Sequence, residues 1–192
     1  MYNGGKHMDL LNQILEQVPK RSHRFDEFRR IVLQMDREIS RKKSIAGLTR
    51  LTACADLEIR PYAFSALAMA HFLDNDYARS LFWLKETSNK YPLSPLALYS
   101  ATLIVLIYRM LGMKRERFEA ESCRFLIMKK IAMQSDDPNH RILALSELKK
   151  EFEVRELHEE AERCDVELNY WVAFLQKKPV PRRPFNRIST RI

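Results

Sequence analysis

The chain reads as an all-α protein of antiparallel helical hairpins, and three observations carry that reading. Apolar residues recur at three and four along almost the whole sequence, the spacing that lines one side of a helix. Only four glycines occur in 192 residues, too few for the many turns of an all-β protein, a glycine-rich phosphate loop or a dinucleotide fold. No alternating stretch is flanked by hairpin signals. At 46% hydrophobic residues the chain can also bury a real core, which excludes intrinsic disorder as its class.

Taken in order, Leu10, Leu11, Ile14, Leu15 and Val18 form a first stripe, opened by Asp9 and stopped by Pro19. Phe25, Phe28, Val32, Met35 and Ile39 predict one longer helix ending in Arg41-Lys42-Lys43. Gly47 breaks the pattern, and Leu48, Leu51 and Ala55 predict a short third helix stopping near Pro61. Further stripes cover 62–73, 76–90, 94–111, 115–133, 139–152 and 155–176. Asp74-Asn75-Asp76, Tyr91-Pro92, Gly112 and Ser135 to Asn139 supply turn signals between them. Three segments follow: partly basic N-terminal helices over 1–61, helical hairpins over 62–176, and a basic, proline-rich tail over 177–192 that is expected to be extended.

The formal net charge of +8 raises polyanions as partners, but its distribution argues otherwise. Residues 20–50 carry +6 and 177–192 carry +6, whereas 51–176 sum to −3. The body of the protein therefore has no built-in basic reading face, and nucleic acid is not expected as a partner. The basic helix within 20–50 has three readings: contact with an acidic neighbour such as the Glu-rich 147–167 stretch, binding to RNA or a membrane surface, or a solvated face. Cys54, Cys123 and Cys164 form no Cys-x-x-Cys pair and are odd in number, so free, buried thiols in a reducing compartment are expected. The first residues lack the apolar core of a secretory signal. Leu96 to Met113, the most apolar run, is interrupted by Ser100, Thr102 and Arg109 and fits a buried helix better than a membrane span. An intracellular location is expected.

Catalytic and metal-binding patterns are missing from the sequence. His158-Glu159-Glu160-Ala161-Glu162 has a glutamate where a zinc helix needs its second histidine. His71 lies on an apolar helix and reads as a packing residue, and Asp136-Asp137 before Pro138 reads as turn and helix cap. No cofactor, metal or small-molecule substrate is expected, and the chain is not expected to be an enzyme.

Within 62–92, Leu67-Ala68 form a large–small pair where two helices would cross. Asn75-Asp76-Tyr77 sit at the turn, Ser80 takes a small-residue slot, and Pro92 follows the second helix. This resembles a tetratricopeptide unit, with His71 in place of an aromatic, and 95–128 reads as a second, poorer match. A short tetratricopeptide-like solenoid is thus the expected architecture. Nine aromatics lie within the 47 residues from Tyr62 to Tyr108. About half should fill the core, and the rest are candidate interface anchors. The candidates are Tyr62, Leu67, Phe72, Tyr77, Phe82, Trp83, Tyr99 and Tyr108.

A wider set of landmarks carries a family resemblance. It includes Ala46-Gly47-Leu48-Thr49-Arg50, Ser88-Asn89-Lys90, Leu98-Tyr99 and Tyr108, then 144–151, Arg155-Glu156-Leu157 and Tyr170-Trp171. In this order, over roughly residues 8 to 175, the chain resembles the N-terminal region of the subunit-eight family of tetratricopeptide scaffolds in the anaphase-promoting complex. The resemblance implies a non-catalytic scaffold in a cell-cycle ubiquitin ligase, acting in cell division and mitosis, in nucleus and cytoplasm. It also implies a homodimer formed through N-terminal repeats and contacts with other subunits. After Gln176 the match stops. A small peptide-binding adaptor or chaperone built from similar hairpins is the alternative, and a basic RNA-associated helical protein a third.

Overall fold

The computed structural model describes residues 14–16, 18–35 and 37–177. Among them are eight long helices: α1 (Phe25–Leu33), α2 (Glu38–Thr52), α3 (Arg60–Leu73), α4 (Tyr77–Lys90), α5 (Pro95–Met110), α6 (Lys114–Gln134), α7 (Pro138–Val154) and α8 (His158–Leu175). Residues 14–16 are helical too, and no described residue lies in a strand. The chain is all-α, and within each unit consecutive helices pack against one another as antiparallel hairpins. Leu10, Leu11 and the tail beyond Lys177 lie outside the described residues. Two compact units divide the chain, Met1–Tyr91 and Pro92–Ile192.

Three hairpins share one turn. Between α3 and α4, Asn75 has φ 59°, its N–H donates to the Phe72 carbonyl (3.0 Å), and the Asp76 N–H donates to the His71 carbonyl (2.9 Å). Gly112 (φ 69°) and Met113 repeat the pattern between α5 and α6, where Met113 N–H reaches Tyr108 O at 3.0 Å. Glu156 (φ 59°) and Leu157 repeat it between α7 and α8, where Leu157 N–H reaches Phe152 O at 2.9 Å. Each is a Schellman stop: a left-handed residue lets the chain fold back and satisfy two last carbonyls. Restarts are marked differently. Pro95 and Pro138 open α5 and α7, and the Asp137 carboxylate caps α7 by accepting from Asn139 N–H.

In the first unit α3 packs against both α2 and α4, so it needs apolar or small residues on every side. Ala63 through Phe72 are all buried. Small residues let α4 come close, and Ser80, fully buried, donates its hydroxyl to the Ala68 carbonyl at 2.9 Å. In the second unit α7 packs between α6 and α8. The core there gathers Leu98, Phe125, Met128, Leu145, Leu148 and Phe152, with Phe125 edge-on to Phe152 at 5.6 Å.

The N-terminal helices differ from the expectation. The periodic row from Phe25 does not run unbroken to Ile39: α1 stops at Leu33, and Ile39 is 96% exposed. Met35, fully buried, ends the row in the connection, where the Ser40 hydroxyl donates to Gln34 O (2.7 Å). Nor does Gly47 end a helix. It sits inside α2 where Ile31 of α1 crosses, and a Cβ would stand 2.9 Å from Ile31 Cδ1. That close approach, not a turn, is the reason for the glycine. The short helix expected from Leu48 is the second half of α2. The boundary drawn at 61/62 is bridged by the packing of α2 on α3. The last expected helix starts three residues late, because Arg155 to Leu157 form the turn.

Asp56 fastens the segment before α1 to the start of α3. Its carboxylate accepts from the Ser22 hydroxyl (2.6 Å) and from the N–H groups of Glu58 (3.0 Å) and Ile59 (3.3 Å). The Ser22 hydrogen bond is the largest influence holding its pKa below the usual 3.8; burial opposes it, and the two N–H groups and His23 add to the lowering. A carboxylate whose folded pKa is depressed contributes stability present above its unfolded pKa and lost as pH falls through the folded value. The first unit should therefore lose stability on acidification below about pH 4, and Asp56→Asn should flatten that loss in thermal melts taken across pH. A non-glycine residue in the left-handed region costs about 1 kcal/mol. Glu156→Gly should raise the second unit's stability by about that amount and Gly112→Ala lower it similarly, both read by urea unfolding.

Candidate interaction surfaces

The aromatics of α3 and α4 separate into inside and outside. Leu67 is fully buried and Phe72 only 4% exposed. Both serve the unit's own core rather than an accessible surface, because α3 is covered on two sides. Tyr77 is half-buried, packs on Phe72 at 5.8 Å and donates its hydroxyl to Asn75 Oδ1 at 2.9 Å, bracing the turn. Tyr62 is half-buried. Trp83, also half-buried, lies edge-on to Phe64 (5.4 Å), which Tyr91 also meets at 6.2 Å and over which Lys90 sits at 4.6 Å. Adjacent positions on a helix diverge by about 100°, so Phe82 stands outside Trp83, the two rings still meeting edge-on at 5.1 Å. At 56% exposed, Phe82 is the clearest surface anchor among the expected residues. Tyr99 and Tyr108, on α5 in the second unit, are both half-buried.

Two grooves carry charge. In the first unit a groove of about 610 Å³ between α1 and α2 is lined by Arg29, Arg30, Arg37 and Lys43, with Asp26 and Leu33. No aromatic lines it among the described residues, so bases would find no stacking platform there. In the second unit a groove of about 530 Å³ lies among α5, α6 and α7, where Val105, Leu106 and Val154 stand beside Arg109, Arg124 and Arg155 and the carboxylates of Glu121 and Glu151. Glu151 binds Arg124 there, and Arg155 lies over the Phe125 ring at 5.1 Å.

The polar groups that could suggest chemistry are structural. His71 is buried with its Nδ1 3.7 Å from Asp76; burial, the dominant influence, pushes its pKa down, against the raising effect of Asp76. A neutral packing imidazole results. Asp76 caps α4 by accepting from the Arg79 N–H (3.1 Å). Among the described residues no three His, Cys, Asp or Glu side chains group as metal ligands, and no helix is long and apolar enough to cross a membrane. The thiols differ from the uniform burial expected of them. Cys164 is buried, and burial pushes its pKa up to about 11, whereas Cys54 is partly covered and Cys123 is exposed.

The stripe over 115–133 places α6, but no candidate interface residue was read on it. Ala120, Phe125, Met128, Ile131 and Ala132 form its buried row. Phe118, Leu126 and Met133 form a second row that the monomer leaves 70%, 54% and 37% exposed. The available signal was an excess: α6 holds more apolar residues than one stripe requires.

Leu67→Ala should cost about 2–5 kcal/mol by leaving a cavity under α3, whereas Phe82→Ser should change stability by no more than about 0.5 kcal/mol. Paired urea titrations compare them; equal losses would place Phe82 in the core. No protein-family model, curated protein or solved structure matches this chain.

Proposed function

We propose that the chain is a non-catalytic scaffold module whose helical hairpins hold other protein chains, beginning with a second copy of itself. The observation that carries this reading is the apolar surface left over once each unit has closed its own core, Phe82 on α4 and Phe118, Leu126 and Met133 on α6. Large side chains left in water at such spacing mark protein contacts more often than chance exposure does. The family resemblance refines the proposal. In that form the chain is the N-terminal homodimerisation module of an anaphase-promoting-complex scaffold subunit, working with the other subunits in nucleus and cytoplasm without cofactor or small-molecule substrate. Repeated Schellman hairpins and the buried Ala68–Ser80 crossing support the tetratricopeptide part of that reading.

The groove among α5, α6 and α7 supports a second reading, a peptide-binding adaptor. It combines apolar walls with Arg109, which has no carboxylate partner in ion-pair range among the described residues. The two readings part on stoichiometry. Sedimentation velocity from tens to hundreds of micromolar should show a concentration-dependent dimer for the scaffold. A monomer throughout, together with saturable binding of an acidic peptide that Arg109→Glu abolishes, would instead establish the adaptor.

A further inference from the structure

The outer row of α6 has a length, a polarity and a charge pattern of its own. Phe118, Ser122, Leu126 and Met133 follow one another at four, four and seven residues, one side of a helix over about 22 Å. None is needed by the unit's core, since α5 and α7 cover the opposite side of α6. Glu119 and Lys130 border this row. They are eleven residues apart, close to three full turns, and so lie on the same flank. Both are exposed: Glu119 pairs only along its own helix, with Arg115 at 3.1 Å, and Lys130 has no carboxylate in ion-pair range among the described residues. The row thus carries an acid near one end and a base near the other.

We propose that this row is the surface through which the chain self-associates, and that its occupant is α6 of a second copy lying antiparallel. This rests on the self-association proposed above and assigns it a surface. In a twofold contact the same patch meets itself. An antiparallel pair brings Glu119 level with the second copy's Lys130 and the reverse, giving two ion pairs. Phe118 of each copy then meets the Met133 end of the other, with Ser122 and Leu126 around the axis. A parallel pair about a twofold would put this flank of the two copies on opposite sides of the seam, where neither Glu119 nor Lys130 finds the other copy's partner charge. Charge therefore selects the antiparallel arrangement. With the axis midway between 119 and 130, the two Cys123 residues are offset by about 4.5 Å along the helices, on facing flanks. The contact is one helix side wide, smaller than a standard interface, so the dimer should dissociate with dilution.

The test uses the full chain in sedimentation velocity, with circular dichroism to show that each variant stays helical. Leu126→Asp should give a monomer. Glu119→Lys and Lys130→Glu should each weaken the dimer at least tenfold, and the double variant Glu119→Lys/Lys130→Glu should recover it. A short thiol–thiol cross-linker should join Cys123 to Cys123 in the wild type and not in Leu126→Asp. A wild-type dimer indifferent to all three substitutions would overturn this surface and leave self-association standing. A wild-type monomer at every concentration would overturn both.

Discussion

Each hairpin depends on one backbone event, the reversal of the chain just past the first helix. The last carbonyls of a helix have no partner inside it. At Phe72, Arg109 and Glu153 those carbonyls are met by the N–H of a left-handed residue, and one position earlier by the N–H that follows it. The same two bonds that satisfy the helix end aim the next helix back along the first. What the turn demands is a positive φ, and the three turns meet that demand with Asn75, Gly112 and Glu156. Asparagine and glycine adopt it readily; glutamate does so against a steric cost.

Once the hairpins are set, burial follows from how many neighbours each helix has. α3 and α7 pack against a helix on either side. In α3 this demands apolar or small residues around the whole circumference, and four alanines with Ser80 opposite let the backbones approach. α6 is covered by α5 and α7 yet retains Phe118, Leu126 and Met133 outside them. Single exposed apolar residues are ordinary, but several lined up along one helix side are the kind of surface that partner contacts use. This separates the residues that build the hairpins from those available to a partner.

The sequence made the helices from α3 onward legible because their apolar spacing is bounded by asparagine, glycine and proline, each with its own geometric reason. The turn at Glu156 was read too early because glutamate carries no turn signal; only the backbone shows it. The break between α1 and α2 stayed hidden because Met35 and Ile39 continue the helical spacing by coincidence, one buried in the connection and the other in water. The interface residues were half legible. Aromatic identity pointed to 62–108, but spacing does not tell which of two adjacent rings turns inward, and so Leu67 and Phe72 stood beside Phe82 as equals. Phe118 and Leu126 escaped because an apolar row at helical spacing reads as core until the neighbours that cover a helix are known.

The same separation recasts the positive charge. Several cations of the early basic segment are committed to the fold. Arg41 donates to the carbonyls of Met35 and Leu73 and pairs with Asp74, so it ties the α1–α2 connection to the end of α3. Arg21 pairs with Glu58, and Arg24 with Glu27. Arg60, just beyond the segment, donates to the Cys54 carbonyl and closes the loop before α3. A guanidinium with several donors suits this task, satisfying carbonyls that a helix end leaves open while keeping part of its surface in water. Of the segment's other cations, Arg29, Arg30, Arg37 and Lys43 line one groove. Much of the early segment's positive charge is thus engaged in closing the first unit's helix ends, whereas the outer row of α6 in the second unit is apolar along its centre and flanked by one acid and one base.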